Sequence, residues 1–192
     1  MVNPLTILVT GGAGFIGSHL VERLLSLGHK VVVVDDLSTG RLQNVNRRAT
    51  FYHASITSTH IEEIIEREKP DVINHNAAQV RRSHSVRDPV KDAEINIEGS
   101  VRLIEACRRY GVRQFIYAST AAVYGEPQLI PCNEDHPTQP ISPFGLSKYV
   151  VEEYLRLYHL LHRLDYRVLR YGNVYGPRQE PQGESRLIAS FL

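Results

Sequence analysis

Cysteine is scarce in this sequence. Only Cys107 and Cys132 occur, far apart and at no metal-ligand spacing, which excludes a disulfide framework or a zinc site as the organising feature. The nine histidines are scattered and HExxH is absent, so no metal site is expected. An excess of one charge is missing too. Twenty-two basic residues face 21 acidic ones, for a net charge of +1, and neither nucleic acid nor an anionic membrane is expected as a partner. The pairs Arg47-Arg48, Arg81-Arg82 and Arg108-Arg109 read as solvated faces. No apolar run approaches the roughly 18 residues of a membrane span. The opening "MVNPLTILVTGG" has no basic region ahead of its short apolar stretch, which points to the cytoplasm.

What the chain does have is alternation. With 192 residues and 42% hydrophobic content it can bury a core of one domain or slightly more. Strand-length apolar runs recur at 5–10, 30–35, 50–54, 71–76, 114–119 and 166–171. Several are β-branched and unalternated, as strands buried on both faces should be. Helical patterns lie between them. Ile16, Leu20, Leu24 and Leu27 keep one face before Gly28 supplies a stop. Val101, Leu103, Ile104, Ala106 and Cys107 mark a helix over about 97–110, ended by Gly111. Val151, Tyr154, Leu155, Tyr158 and Leu161 mark another, with Glu152, Glu153 and Arg156 turned outward. This order predicts an α/β fold, a doubly wound parallel sheet of the Rossmann type. Ligands then belong at the carboxyl ends of the strands.

The first strand runs into "TGGAGFIGSH", readable as Gly11-x-x-Gly14-x-x-Gly17 or as Gly12-x-Gly14-x-x-Gly17. Glycine permits a tight turn, close backbone approach to a pyrophosphate and close helix packing. The helix opening near Phe15 and Ile16 adds free N–H groups and a positive dipole end. Asp35 ends the second strand, where a carboxylate accepts from ribose hydroxyls and repels a 2′-phosphate; Asp36 is placed to share that task. NAD is therefore expected over NADP.

Together "TGGAGFIGSHL", "VVDDLSTG", "NAAQ", "ASTAAVYGEP", "SPFGLSK" and "LRYGNVYGPRQ" resemble the extended short-chain dehydrogenase/reductase family, in its NAD-dependent epimerase/dehydratase branch. Within that branch the chain most resembles the bacterial UDP-glucose 4-epimerase group. The resemblance implies a cycle in which NAD stays bound while a hydride leaves C4 of a UDP-hexose, the 4-keto sugar turns over, and the hydride returns to the other face. It also implies a Tyr base in Y-x-x-x-K, a Lys that holds the nicotinamide ribose and lowers the phenol pKa, and a Ser or Thr hydroxyl bridging to the sugar. Position by position, Thr120 falls on the hydroxyl and Lys148 on the lysine, but Phe144 falls on the tyrosine. A phenol near pKa 10 needs a cation beside it to act as base, and Phe keeps the ring with nothing to ionise. An engineered Tyr→Phe change and a natural chain that binds without catalysing both explain Phe144; the intact remainder favours the first.

Further assignments follow from the resemblance. Ser38 and Gly40 lie in the loop after the second strand, and Ala77, Ala78 and Gln79 in the loop after the fourth. Asn96 matches an asparagine on the cofactor side, or simply caps a helix. Tyr171 sits where the chain passes the nicotinamide, and Asn173 matches an asparagine near the sugar diphosphate. Ser55-Ile56 stands where an acidic residue often reaches the adenine, which weakens adenine contact there. Ala121 and Ala122 replace the acidic residue that dehydratases and decarboxylases carry, leaving oxidation and re-reduction at C4. Residues 1–172 are expected to form the NAD-binding domain and 173–192 the start of a substrate region. "GESRLIASFL" reads as the middle of an element, with the C-terminal substrate lobe largely absent and apolar surface exposed in its place. A homodimer built on helices at about 97–110 and 147–162 is implied as well. The alternative to an epimerase is a catalytically silent module binding NAD or a nucleotide sugar; a dehydrogenase that releases its cofactor is a weaker third.

Overall fold

A computed structural model describes residues 3–179, so "GESRLIASFL" and most of the expected 173–192 region lie outside the described residues. Six parallel strands form one sheet in the order β3-β2-β1-β4-β5-β6. They are β1 (Thr6–Thr10), β2 (Lys30–Asp35), β3 (Thr50–His53), β4 (Val72–His75), β5 (Gln114–Thr120) and β6 (Asp165–Tyr171). The order reverses between β1 and β4, whose ends pair Thr10 with His75. That reversal opens the crevice in which such sheets bind ligands.

Helices α1 (Phe15–Ser26), α2 (His60–Glu68), α5 (Gly99–Tyr110) and α6 (Pro143–His162) cross between strands, with short α3 (Arg82–Arg87) and α4 (Pro89–Ala93) after β4. One core gathers Leu8, Ile64, Ile73, Leu103, Phe115 and Leu155; the other gathers Ile7, Val9, Val21, Val31 and Val33 on the α1 side. The four valines of β2 are buried on both faces, as an unalternated run predicts. Strands β5 and β6 alternate instead; β6 is the last strand on its side of the sheet among the described residues, and Leu169 faces outward at 38% exposure.

Three sequence-based expectations need correction. The buried face of α1 is Gly17, Ser18, Val21 and Leu25, while Leu27 is exposed. Two small residues let the helix sit down on that side. The helical path expected from about 97 begins at Pro89, where Asp88 caps Lys91 N–H at 3.0 Å, and passes through a π-turn at Glu94–Glu98 before α5. On α6, Val151 and Leu155 are buried but Tyr154 and Leu161 are exposed, and Glu152 points inward. Gly111, in the left-handed region at φ 72°, ends α5 as expected.

Candidate active site

The turn after β1 requires glycine for steric reasons. Gly11 has φ 68°, and a Cβ there would lie 2.7 Å from the Ala77 nitrogen; a Cβ on Gly17 would lie 2.1 Å from the Gly11 carbonyl oxygen. Helix α1 therefore packs directly on the turn. Its N-cap, Gly14, makes no side-chain capping bond, and the first turn holds no acidic residue. The N–H groups of Phe15, Ile16 and Gly17 have no intrahelical acceptor, which suits a pyrophosphate.

At the end of β2 the Asp35 carboxylate accepts from Ala13 N–H at 2.9 Å and from Leu37 N–H at 2.8 Å. Burial pushes its pKa up, against the pull of those two bonds. A Cβ on Gly40 would meet Asp35 Oδ1 at 2.6 Å, so the loop closes tightly around the carboxylate. Each oxygen keeps lone-pair capacity for a ribose hydroxyl. Asp36 instead caps its own turn, accepting from Ser38 N–H at 2.9 Å and from the Ser38 hydroxyl at 2.6 Å. Ser55 Oγ bonds Thr57 Oγ1 at 2.9 Å, and the Ile56 side chain is buried in the core against Gly99, leaving only its backbone for a ligand.

Beyond β4 the loop of Ala77, Ala78 and Gln79 is held by Asn96. Asn96 Oδ1 accepts from Gln79 N–H at 2.8 Å while its Nδ2 donates to the Gln79 carbonyl at 2.9 Å. Asn96 therefore does not cap a helix: the extra residue of the π-turn turns its amide inward to pin the loop. Buried Asp92 accepts from both Asn96 Nδ2 at 3.1 Å and Gln79 Nε2 at 2.8 Å. His75 anchors the strand end below. Ser100 Oγ donates to the Asn96 carbonyl at 2.6 Å, so it accepts from His75 Nε2–H at 2.9 Å, and Nδ1 accepts from Thr10 Oγ1 at 2.6 Å. Burial keeps this imidazole neutral, its pKa well below the ordinary value.

Thr120 ends β5, while Phe144 and Lys148 lie in the first two turns of α6. The Thr120 hydroxyl accepts from Ala122 N–H at 3.1 Å in the 3-10 turn Ala121–Tyr124, and its own proton is left for another acceptor. Ser142 caps α6 by accepting from Gly145 N–H at 3.1 Å, with Pro143 in the first position. A Cβ on Gly145 would sit 2.7 Å from the Ala122 carbonyl, so the first turn of α6 presses against the turn bearing Thr120. Lys148, four residues after Phe144 and so on the same helix face, is only 4% exposed. Its amine donates to the Ala118 carbonyl at 2.9 Å and lies 4.8 Å from the centre of the Tyr117 ring. Burial lowers its pKa to about 8 against the opposing pull of Asp92 and Glu152.

Glu152, expected to face outward, is 6% exposed. It takes a forked ion pair from Arg170, with Nη2 to Oε2 at 2.7 Å, and a short bond from the Ser119 hydroxyl next to Thr120. Arg170 also donates to Tyr124 Oη at 3.0 Å. Tyr171 ends β6 opposite Thr120 and is half-buried, while Asn173 is exposed just beyond. Sequence reasoning missed His75, Asp92, Glu152 and Arg170. For Glu152 a usable signal existed: it lies one helical turn after Lys148, on the same face.

Parallel order, a glycine turn under an uncapped helix and an acidic residue ending β2 define an α/β protein of the dinucleotide-binding class. Residues 7–192 match the family described as "NAD dependent epimerase/dehydratase family". The chain belongs to that family, whose cofactor is NAD. It is 45% identical over 190 residues to the UDP-glucose 4-epimerase of Mycolicibacterium smegmatis, covering 96% of this chain and 61% of that protein. Among solved structures, it is 47% identical, with a TM-score of 0.94, to the Thermotoga maritima UDP-glucose 4-epimerase with UDP-glucose, covering 97% of this chain and 62% of that one. The Thermus thermophilus UDP-glucose 4-epimerase in complex with NAD gives 45% identity and a TM-score of 0.94, covering 97% and 61%. The chain thus spans about three fifths of these relatives' length.

Proposed function

We propose that this chain carries the NAD-binding and reacting part of an epimerase that inverts C4 of a UDP-hexose. The observation that carries the reading is the buried Lys148 amine, one turn beyond Phe144, bonded to the strand whose last residue is Thr120. When bound, NAD supplies the acceptor for the C4 hydride and later its donor, so substrate and product stand at one oxidation level. The chain's part is positioning. Gly11, Gly14, Phe15, Ile16 and Gly17 receive the pyrophosphate, and Asp35 the ribose. Lys148 has two N–H bonds left for the second ribose, and Thr120 a hydroxyl for the sugar's C4 oxygen. Ala121 and Ala122 offer no carboxylate for elimination.

Phe144 lacks the proton acceptor that this chemistry uses. General-base catalysis contributes about 10²–10⁴-fold, so in an otherwise complete protein Phe144→Tyr is expected to raise epimerisation at least about a hundredfold. The assay is conversion of UDP-galactose to UDP-glucose; equal rates for the two forms would refute the assignment of Phe144. Phe144 also supports a second reading, a silent binding module. In that case UDP-sugar binds with no rise in reduced-nicotinamide absorbance even after the tyrosine is restored.

Residues 1–172 are taken as the NAD unit and 173–192 as the start of the substrate region. Val90, Ala93, Ile97, Val101, Tyr154 and Tyr158 line an open groove between α4, α5 and α6, which supports a homodimer through these helices. No described helix is long and apolar enough to cross a membrane.

A further inference from the structure

The segment after β6 folds back onto the helix that opens the phosphate site, in a conformation that needs a reason. Arg178 has φ 69°, in the left-handed region that side chains with a Cβ rarely adopt. Gln179 N–H closes the turn on the Gly176 carbonyl at 3.2 Å. From it Arg178 donates through Nη1 to Ser18 Oγ at 3.0 Å and pairs through Nη2 with Glu22. His19 Nε2 donates to the Pro177 carbonyl at 2.9 Å. A Cβ on Gly176 would touch the Phe15 ring at 3.5 Å. Phe15, Ser18, His19 and Glu22 stand at i, i+3, i+4 and i+7, one stripe of α1 starting at its first residue.

Stability does not explain the arrangement. The Arg178–Glu22 pair is partly exposed and such pairs contribute little, while a left-handed arginine opposes it. The route of the contact is more telling. Ser18 Oγ donates to the Phe15 carbonyl at 3.0 Å, so Arg178 is two hydrogen bonds from the backbone of the first helical residue. Asn173 lies on the same segment, held on one side by the end of β6 and on the other by this docked turn.

We propose that Arg178 is a positioning residue that straps residues 172–179 to α1, so that an anion seated at the N-terminus of α1 orders the segment carrying Asn173. The inference rests on the NAD-site reading above and adds a link between the two ligands' sides of the site. An anion on the N–H groups of Phe15 to Gly17 quiets the first turn of α1, and the strap's platform with it.

Amide hydrogen exchange of the 172–179 peptide, with and without saturating NAD, tests this. NAD is expected to slow exchange at least about tenfold in the chain as it stands. Arg178→Ala should abolish that NAD-dependent slowing and, because coupling between two sites is reciprocal, raise the NAD Kd by about the same tenfold factor while NAD still binds. Arg178→Lys, which keeps the pairing with Glu22, should retain part of it. A purely structural role would speed exchange equally with and without NAD. If NAD binds the original chain but leaves the peptide's exchange unchanged, or if Arg178→Ala keeps the full slowing, the strap is wrong. A chain that binds no NAD overturns the cofactor reading, and the strap falls with it.

Discussion

Burying an ammonium costs more than burying an amine, and Lys148 is the residue where that difference is largest in this site. Its pKa falls from an ordinary 10.5 to about 8 because the helix and sheet exclude water around it. Below pH 8 folded and unfolded chains both hold the proton, and the full penalty of about 3 kcal/mol opposes folding. Between about 8 and 10.5 the unfolded chain binds more protons than the folded one, so this contribution makes stability rise with pH. Lys148→Met removes the titration. The variant's stability advantage over the original, from urea unfolding, is expected to shrink between pH 7.5 and pH 9.5; a constant gap would place the amine in water. Lysine in this position was visible from its spacing to Phe144. Its low pKa was not, since it comes from burial of the amine between α6 and the sheet, which outweighs the upward pull of Asp92 and Glu152.

At the scale of elements, the site depends on how closely α6 approaches the turn after β5. Gly145 sets that distance, because any Cβ would press on the Ala122 carbonyl. In the Phe144→Tyr background, Gly145→Ala should displace the start of α6 from Thr120 and lower kcat by about a hundredfold, the order that a 1 Å misplacement produces. NAD affinity should hold within a few-fold, since Gly11 to Gly17 are untouched; a parallel loss of both would mean general unfolding. The glycine turn, the acidic end of β2 and the stop at Gly111 were legible because each needs one residue type at one place. Glu152 reads as outward from the apolar spacing of α6, although it stands one turn after Lys148 on the same face. Only the arrival of Arg170, from β6, turns it inward. Helix α2 was overlooked although its apolar spacing at Ile61, Ile64 and Ile65 is regular, and the π-turn gave no local signal.

For the molecule as a whole, exposed apolar side chains are spread over the described residues, from Val90 on α4 to Leu129 and Ile130 after β5, and include Tyr154, Leu157, Leu160 and Leu161 on α6. Tyr154, more than a third exposed, and Tyr158 line the groove formed with α4 and α5. A second copy packing there would bury them, and Tyr154→Glu would then put a charge into the interface. Sedimentation velocity is expected to show a dimer that Tyr154→Glu converts to monomer; a monomeric original would remove the assignment. By itself the sequence determined the strand-helix alternation, the parallel class and the glycine turn with its acidic partner, because periodicity and steric need act over a few neighbouring residues, whereas Thr120, Phe144 and Lys148 were picked out by family resemblance. Only the tertiary structure decided which carboxylates face the lysine, that Asn96 pins a loop rather than capping a helix, and that Arg178 reaches back to α1. The Asn96–Gln79 and Arg178–Ser18 contacts join residues 17 and 160 positions apart, and no local pattern encodes a partner at such distances.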